Sequence, residues 1–172
     1  MEKIISLSIP GQVQHPVFYP DVDEKVAIDS LNPNPLNPVF SYEILFYNKR
    51  LETSPPWENT SYIKDAEAEW LELRERLNEA YSARFPEKIA SLMKKAIAHF
   101  VMYLFWTNGM PANPAKWEDD LQNMLIKPVN AEERLNFVLV RPALFHSYKQ
   151  LDQLFIEQMK QYAKHQAIHK HR

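Results

Sequence analysis

The sequence predicts an all-α single domain: a bundle of about six helices packed around a central hydrophobic helix at about 86–107, with an extended, proline-rich N-terminal arm. Three observations lead there. Eight of the 13 prolines (Pro10, Pro16, Pro20, Pro33, Pro35, Pro38, Pro55 and Pro56) fall in the first third of the chain. The other five fall between segments whose apolar residues recur every three or four positions. One of those segments becomes apolar on nearly every side, so other helices must surround it.

Proline has no backbone donor and pushes its predecessor out of the helical region, so residues 1–37 are predicted to be extended or turn-like, with a helical turn near Asp23–Leu31. Ile4, Ile5, Leu7, Ile9, Val13, Val17, Phe18 and Tyr19 are frequent enough that the arm is expected to pack on the helical domain, 38–172. A first short helix follows Asn37-Pro38, with Phe40, Ile44, Leu45 and Tyr47 as its apolar face. A second spans about Ser61–Arg84, where Ala66, Trp70, Leu73, Leu77 and Tyr81 oppose a face of Glu and Arg.

The third opens at Pro86 and closes at Gly109; proline suits a first helical turn because that N–H has no helical partner. Its second half adds Met102, Tyr103, Phe105 and Trp106 to the stripe begun by Ile89, Leu92 and Met93. A fourth helix is placed from Pro114 to about Ile126, and a fifth after Asn130, where Glu133 three residues on gives a capping-box pattern. The sixth runs from Pro142 to about His165 on Leu144, Tyr148, Leu151, Phe155, Met159 and Tyr162.

The run Lys127-Pro-Val-Asn-Ala-Glu-Glu-Arg-Leu-Asn-Phe-Val-Leu-Val-Arg-Pro142, followed by Phe145-His-Ser-Tyr-Lys-Gln-Leu-Asp-Gln-Leu-Phe155, resembles the signature region of the YpoC-like family of uncharacterised Firmicutes proteins. Pro56-Trp57-Glu58 and Trp106-Thr-Asn-Gly-Met-Pro111 fit the same pattern. The resemblance implies a small, helical, cytoplasmic bacterial protein, and it carries no catalytic or binding residue over to this chain.

Composition narrows the function. The net charge of −2, from 20 basic and 22 acidic side chains, gives no global field to draw the protein to nucleic acid or membrane. The absence of cysteine excludes disulfides, thiolate nucleophiles and finger-type zinc sites, and points to a reducing, cytoplasmic home. Met1–Pro10 lacks the apolar core of a signal peptide, and the apolar run Ala96–Trp106, broken by His99, falls short of the roughly 20 residues of a membrane span. With only Gly11 and Gly109 there is no glycine-rich phosphate loop or nucleophile elbow, and no His-Glu-x-x-His occurs, so no cofactor is expected.

Histidines and loop residues supply the candidates. His165 and His169 stand one helical turn apart beside Lys164, with Lys170, His171 and Arg172 following; at a chain end this favours adventitious metal affinity or solvated charge over a built metal site. His99 reads as a hydrogen-bonded core histidine, and His146, after Arg141, as an acid, base or anion contact or else a junction-organising side chain. Trp106, Asn108, Lys127, Asn130, Arg141 and His146 lie at three helix junctions. If these converge they form an electropositive, aromatic-edged pocket for an anionic ligand or acidic peptide; otherwise they are caps and loop locks.

Three functions follow. The leading one is a non-enzymatic interaction protein with a protein partner. The second is a DNA- or RNA-associated accessory factor using Lys49-Arg50, Arg74, Arg76, Arg84, Lys88, Lys94-Lys95 and the basic C-terminus. The third is an enzyme or anionic-ligand binder using the junction residues.

Overall fold

The structure, a computed structural model, describes residues 1–170 and is predominantly helical. Its helices are α1 (Ser41–Tyr47), α2 (Thr60–Ala83), α3 (Pro86–Trp106), α4 (Trp117–Gln122), α5 (Ala131–Val140) and α6 (Phe145–Lys170), with short 3-10 turns at Pro56–Glu58 and Pro114–Lys116. The six predicted helices are present, the fourth being shortened at both ends, by the 3-10 turn that precedes it and by its close at Gln122 in place of Ile126.

The N-terminal arm corrects the expectation. Strands β1 (Ile4–Ser8) and β2 (Lys25–Asp29) pair antiparallel with Ile5 opposite Ile28 and Leu7 opposite Val26. The helical turn expected near Asp23–Leu31 is therefore a strand, and the arm is a small sheet with turns in place of a plain extended segment. Side chains alternate across a strand. Ile5, Leu7, Val26 and Ile28 accordingly share the face that meets the core, while Ile4, Ser6 and Ser8 are exposed.

Long-range bonds tie the arm down. Tyr19 Oη donates to Val39 O at 2.6 Å, and Ala115 N donates to Gln12 O at 3.1 Å. The Phe18 ring meets Phe40 edge-on at 5.0 Å. Phe40 holds φ at 64°, a left-handed conformation that costs a bulky residue on the order of 1–3 kcal/mol, and complete burial of its ring keeps it there.

The centre is α3. From Ala96 to Trp106 every side chain is buried, with α2 and α6 packed along it. By length and composition α3 could cross a membrane, a reading the sequence discounted because the apolar run Ala96–Trp106, broken by His99, is short; here 72% of its apolar window is buried within the protein. Phe155 of α6 is the hub of this packing. It stacks on Trp70 of α2 at 4.2 Å and meets Phe100 and Tyr103 of α3 at 5.1 and 5.4 Å.

Two ionisable groups lie inside. His99, 2% exposed, is the expected core histidine, its Nε2 bonded to Ala66 O at 2.6 Å. Burial pushes it down to about 4 from 6.5. Glu43 of α1 is fully buried, and its Oε2 accepts from Trp106 Nε1 at 2.7 Å and from Ala112 N at 3.1 Å, joining α1, the end of α3 and the following loop. Desolvation raises it from 4.5 to about 7 against the pull of those two bonds.

The two groups act on stability in opposite senses. Folded Glu43 holds a proton that the unfolded chain has released, so its contribution is full below pH 4.5 and lost as pH rises to about 7. Folded His99 stays neutral while the unfolded chain is protonated, so its contribution is full above 6.5 and lost as pH falls to about 4. Glu43→Gln is expected to remove the first slope and keep both acceptor contacts. Denaturant unfolding across this range then shows a steeper rise of stability with pH in the variant than in the native protein; parallel profiles contradict the assignment.

Candidate interaction surface

The structure spreads the six junction residues over separate parts of the surface and interior. Trp106 is buried, its indole N–H committed to Glu43. Asn108 locks a loop: its Oδ1 accepts from Ile126 N at 3.0 Å, and its Nδ2 donates to Ile126 O at 2.7 Å and Leu104 O at 2.8 Å. Lys127 places its ammonium on the last carbonyls of α4, donating to Leu121 O at 3.2 Å and Gln122 O at 3.4 Å, where the negative end of the helix dipole favours a cation. These three act as the caps and locks that formed the plainer reading.

The other three are free of such duties. Asn130 precedes α5 in a left-handed conformation, φ 55°, and its side chain accepts no bond from the helix, so the capping box with Glu133 does not form. The first turn closes instead through Arg134 N donating to Asn130 O. The side chains of Arg141 and His146 are exposed and make no hydrogen bond or ion pair among the described residues. Lys127 and Asn130 line one concavity together, and Trp106, Asn108 and His146 each line a different one.

Arg141 and His146 do belong to one feature, the α5–α6 corner. Arg141 O accepts from Ser147 Oγ and from Leu144 N, a tight turn that brings the end of α5 against the start of α6. Arg134 of α5 clasps Glu157 of α6 through both guanidinium arms, and Tyr81 Oη of α2 donates to Ala143 O at 2.8 Å. The corner is thus fixed from three sides.

On this rigid corner four large apolar side chains, Phe137, Val140, Leu144 and Phe145, are 42 to 66% exposed within nine residues of sequence. Basic groups stand among them. Phe137 and His146 line one shallow concavity with Lys149, whose Nζ sits 5.6 Å from the centre of the Phe145 ring. The corner's exposed acids are Glu132 and Glu133, at the far end of α5. Reading residue types at junctions found Arg141 and His146, and it missed the apolar residues because Phe137 and Leu144 sit at spacings that also serve a core.

The rings of His165 and His169 lie 4.1 Å apart, tilted by 55°, on the last turns of α6. Among the described residues no group of three or more His, Asp or Glu could hold a metal ion. His171 and Arg172 lie outside the described residues.

A stability comparison separates the locks from the free side chains. Asn108→Ala removes three bonds that hold the Ile126 loop and is expected to cost about 2 kcal/mol in chemical denaturation, whereas Arg141→Ala stays within about 0.5 kcal/mol of the native protein.

Comparison with known proteins agrees with the signature read in the sequence. "Uncharacterized protein YpoC" of Bacillus subtilis (strain 168) is 26% identical over 149 residues, which cover 86% of this chain and 88% of that protein. No solved structure matches. The family model described as YpoC-like protein matches residues 60–170, which take in α2 through α6 and both signature runs. The chain belongs to the YpoC-like protein family.

Proposed function

We propose that the protein is a non-enzymatic, cytoplasmic interaction module that docks a partner protein on the α5–α6 corner. The observation that carries this is the corner itself: four large apolar side chains exposed beside Arg141, His146 and Lys149. Exposed apolar residues scattered singly need no explanation, but a cluster rimmed by one sign of charge is the usual composition of a recognition surface.

The partner that fits is an amphipathic segment bearing acidic residues. Its apolar side supplies the binding free energy against Phe137, Val140, Leu144 and Phe145, and its carboxylates meet the basic rim, which governs approach and orientation more than affinity. The nucleic-acid reading has less support. Arg74 faces Asp152 at 3.2 Å, and Arg76 and Lys95 share a cleft with Asp65 and Glu69, so these bases form no uninterrupted positive face.

The test is affinity capture with the native protein, a Phe137→Ser/Val140→Ser/Phe145→Ser variant, and a Leu71→Ser control, Leu71 being comparably exposed on α2. Thermal unfolding verifies that all three fold. Partners held by the native protein are expected to be kept by the control and lost by the corner variant, with binding weakened as salt rises. Undiminished capture by the corner variant overturns the proposal.

A further inference from the structure

A second surface feature lies away from the corner. A half-open cleft of about 530 Å3 runs between the Pro33–Asn37 segment and the α2–α3 pair, with Tyr42 and Tyr62 at one end. Its α2 wall is a single helical stripe, Asp65, Glu69 and Arg76, and α3 contributes Lys95 and, from the floor, His99.

Charged side chains that line a cleft usually pair with each other. Among the described residues none of Asp65, Glu69, Arg76 and Lys95 makes an ion pair, and no side-chain hydrogen bond is formed by any of the four. Yet along α2 their signs are sorted: Asp65 and Glu69 stand on the side of Tyr62, and Arg76 lies further along the helix. At the helical rise of about 1.5 Å per residue, Arg76 lies about 10 Å along α2 from Glu69 and about 16 Å from Asp65.

The floor is also incomplete. His99 is almost wholly buried, its Nε2 faces Ala66 O, and its Nδ1 has no partner. Because the carbonyl takes the N–H, Nδ1 is left as a bare acceptor, a group that normally finds a donor when buried. Glu69 is held above the ordinary carboxylate range, first by desolvation and then by Glu72, despite the opposing influence of Arg76 and Lys95. A cation brought beside it would relieve that deficit. Across the cleft, the amide nitrogens of Asn34 and Asn37 make no hydrogen bond among the described residues and can meet peptide groups.

We propose that this cleft binds a short zwitterionic peptide, its ammonium among Asp65, Glu69 and His99 and its terminal carboxylate on Arg76. At about 3.3–3.6 Å per extended residue, the 10 to 16 Å between the poles corresponds to roughly three to five residues. The tyrosines and prolines flank the peptide, and the two asparagines hold its amides. This site stands independently of the corner and uses none of its residues.

The experiment is an NMR titration of isotope-labelled, full-length protein with tetra-alanine bearing free ends, with acetyl-tetra-alanine, and with tetra-alanine amide. Free tetra-alanine is expected to give saturable shifts confined to residues 33–37, the 65–76 stripe and 95–99. Blocking either end is expected to weaken binding about tenfold, the effect of losing one charge-assisted contact. In Glu69→Lys the penalty for acetylation disappears, and in Arg76→Glu the penalty for amidation disappears; both positions face solvent enough for the variants to fold, and the unshifted remainder of each spectrum verifies it. Absence of saturable shifts at millimolar tetra-alanine, or equal binding of free and blocked peptides, overturns the proposal.

Discussion

A helix that is apolar on every side cannot finish its own burial, and the fold follows from that constraint on α3. From Ala96 to Trp106 nothing on α3 faces water. The amphipathic stripe of α2 covers one side, and α6 closes another by inserting Phe155 between Trp70, Phe100 and Tyr103. The side that remains is covered by α1 and the N-terminal arm, whose Val13, Phe18, Tyr19 and Ile28 belong to the same core. The cost of burying the Glu43 carboxyl is accepted at this last seam, where it fastens the Trp106 indole and the Ala112 amide.

Once α3 is enclosed, what is left outside is informative. The α5–α6 corner contributes only the inner faces of its helices, Leu135, Val138 and Leu139 on one and Tyr148, Leu151, Leu154 and Phe155 on the other. Its outer face keeps Phe137, Val140, Leu144 and Phe145 in contact with water although nothing in packing α3 requires apolar residues there. The turn at Arg141, the Arg134–Glu157 clasp and the Tyr81 hydroxyl hold that face in one preorganised arrangement.

Helical periodicity made the helices and the central place of α3 legible, because a stripe that widens to the full circumference has one physical meaning. The β1–β2 pair was written in the sequence as well: Ile5, Leu7 and Ile9 alternate with Ser6 and Ser8. Proline density hid it, and the partner strand lies twenty residues on, so the pairing is a long-range event that local pattern does not contain. The junction residues show a different limit. Residue type told that Trp106, Asn108, Lys127, Arg141 and His146 can bond, but each partner was set by the fold: Glu43, Ile126 and the end of α4 for the first three, and none among the described residues for the last two. Likewise Glu69 and Arg76 read only as part of the Glu and Arg face opposite the apolar stripe of α2, and the Pro33–Asn37 segment lying alongside turns that face into a wall.

The claim at the centre of this account is that the α5–α6 corner is a contact surface in the living cell. Site-specific photo-crosslinking tests it most directly, with a photoreactive amino acid placed at Phe137, Phe145 and, as a control of similar exposure on another face, Leu71. The account predicts a discrete cross-linked protein from both corner positions and none from Leu71. Cross-linking from Leu71 with silent corner positions would contradict it.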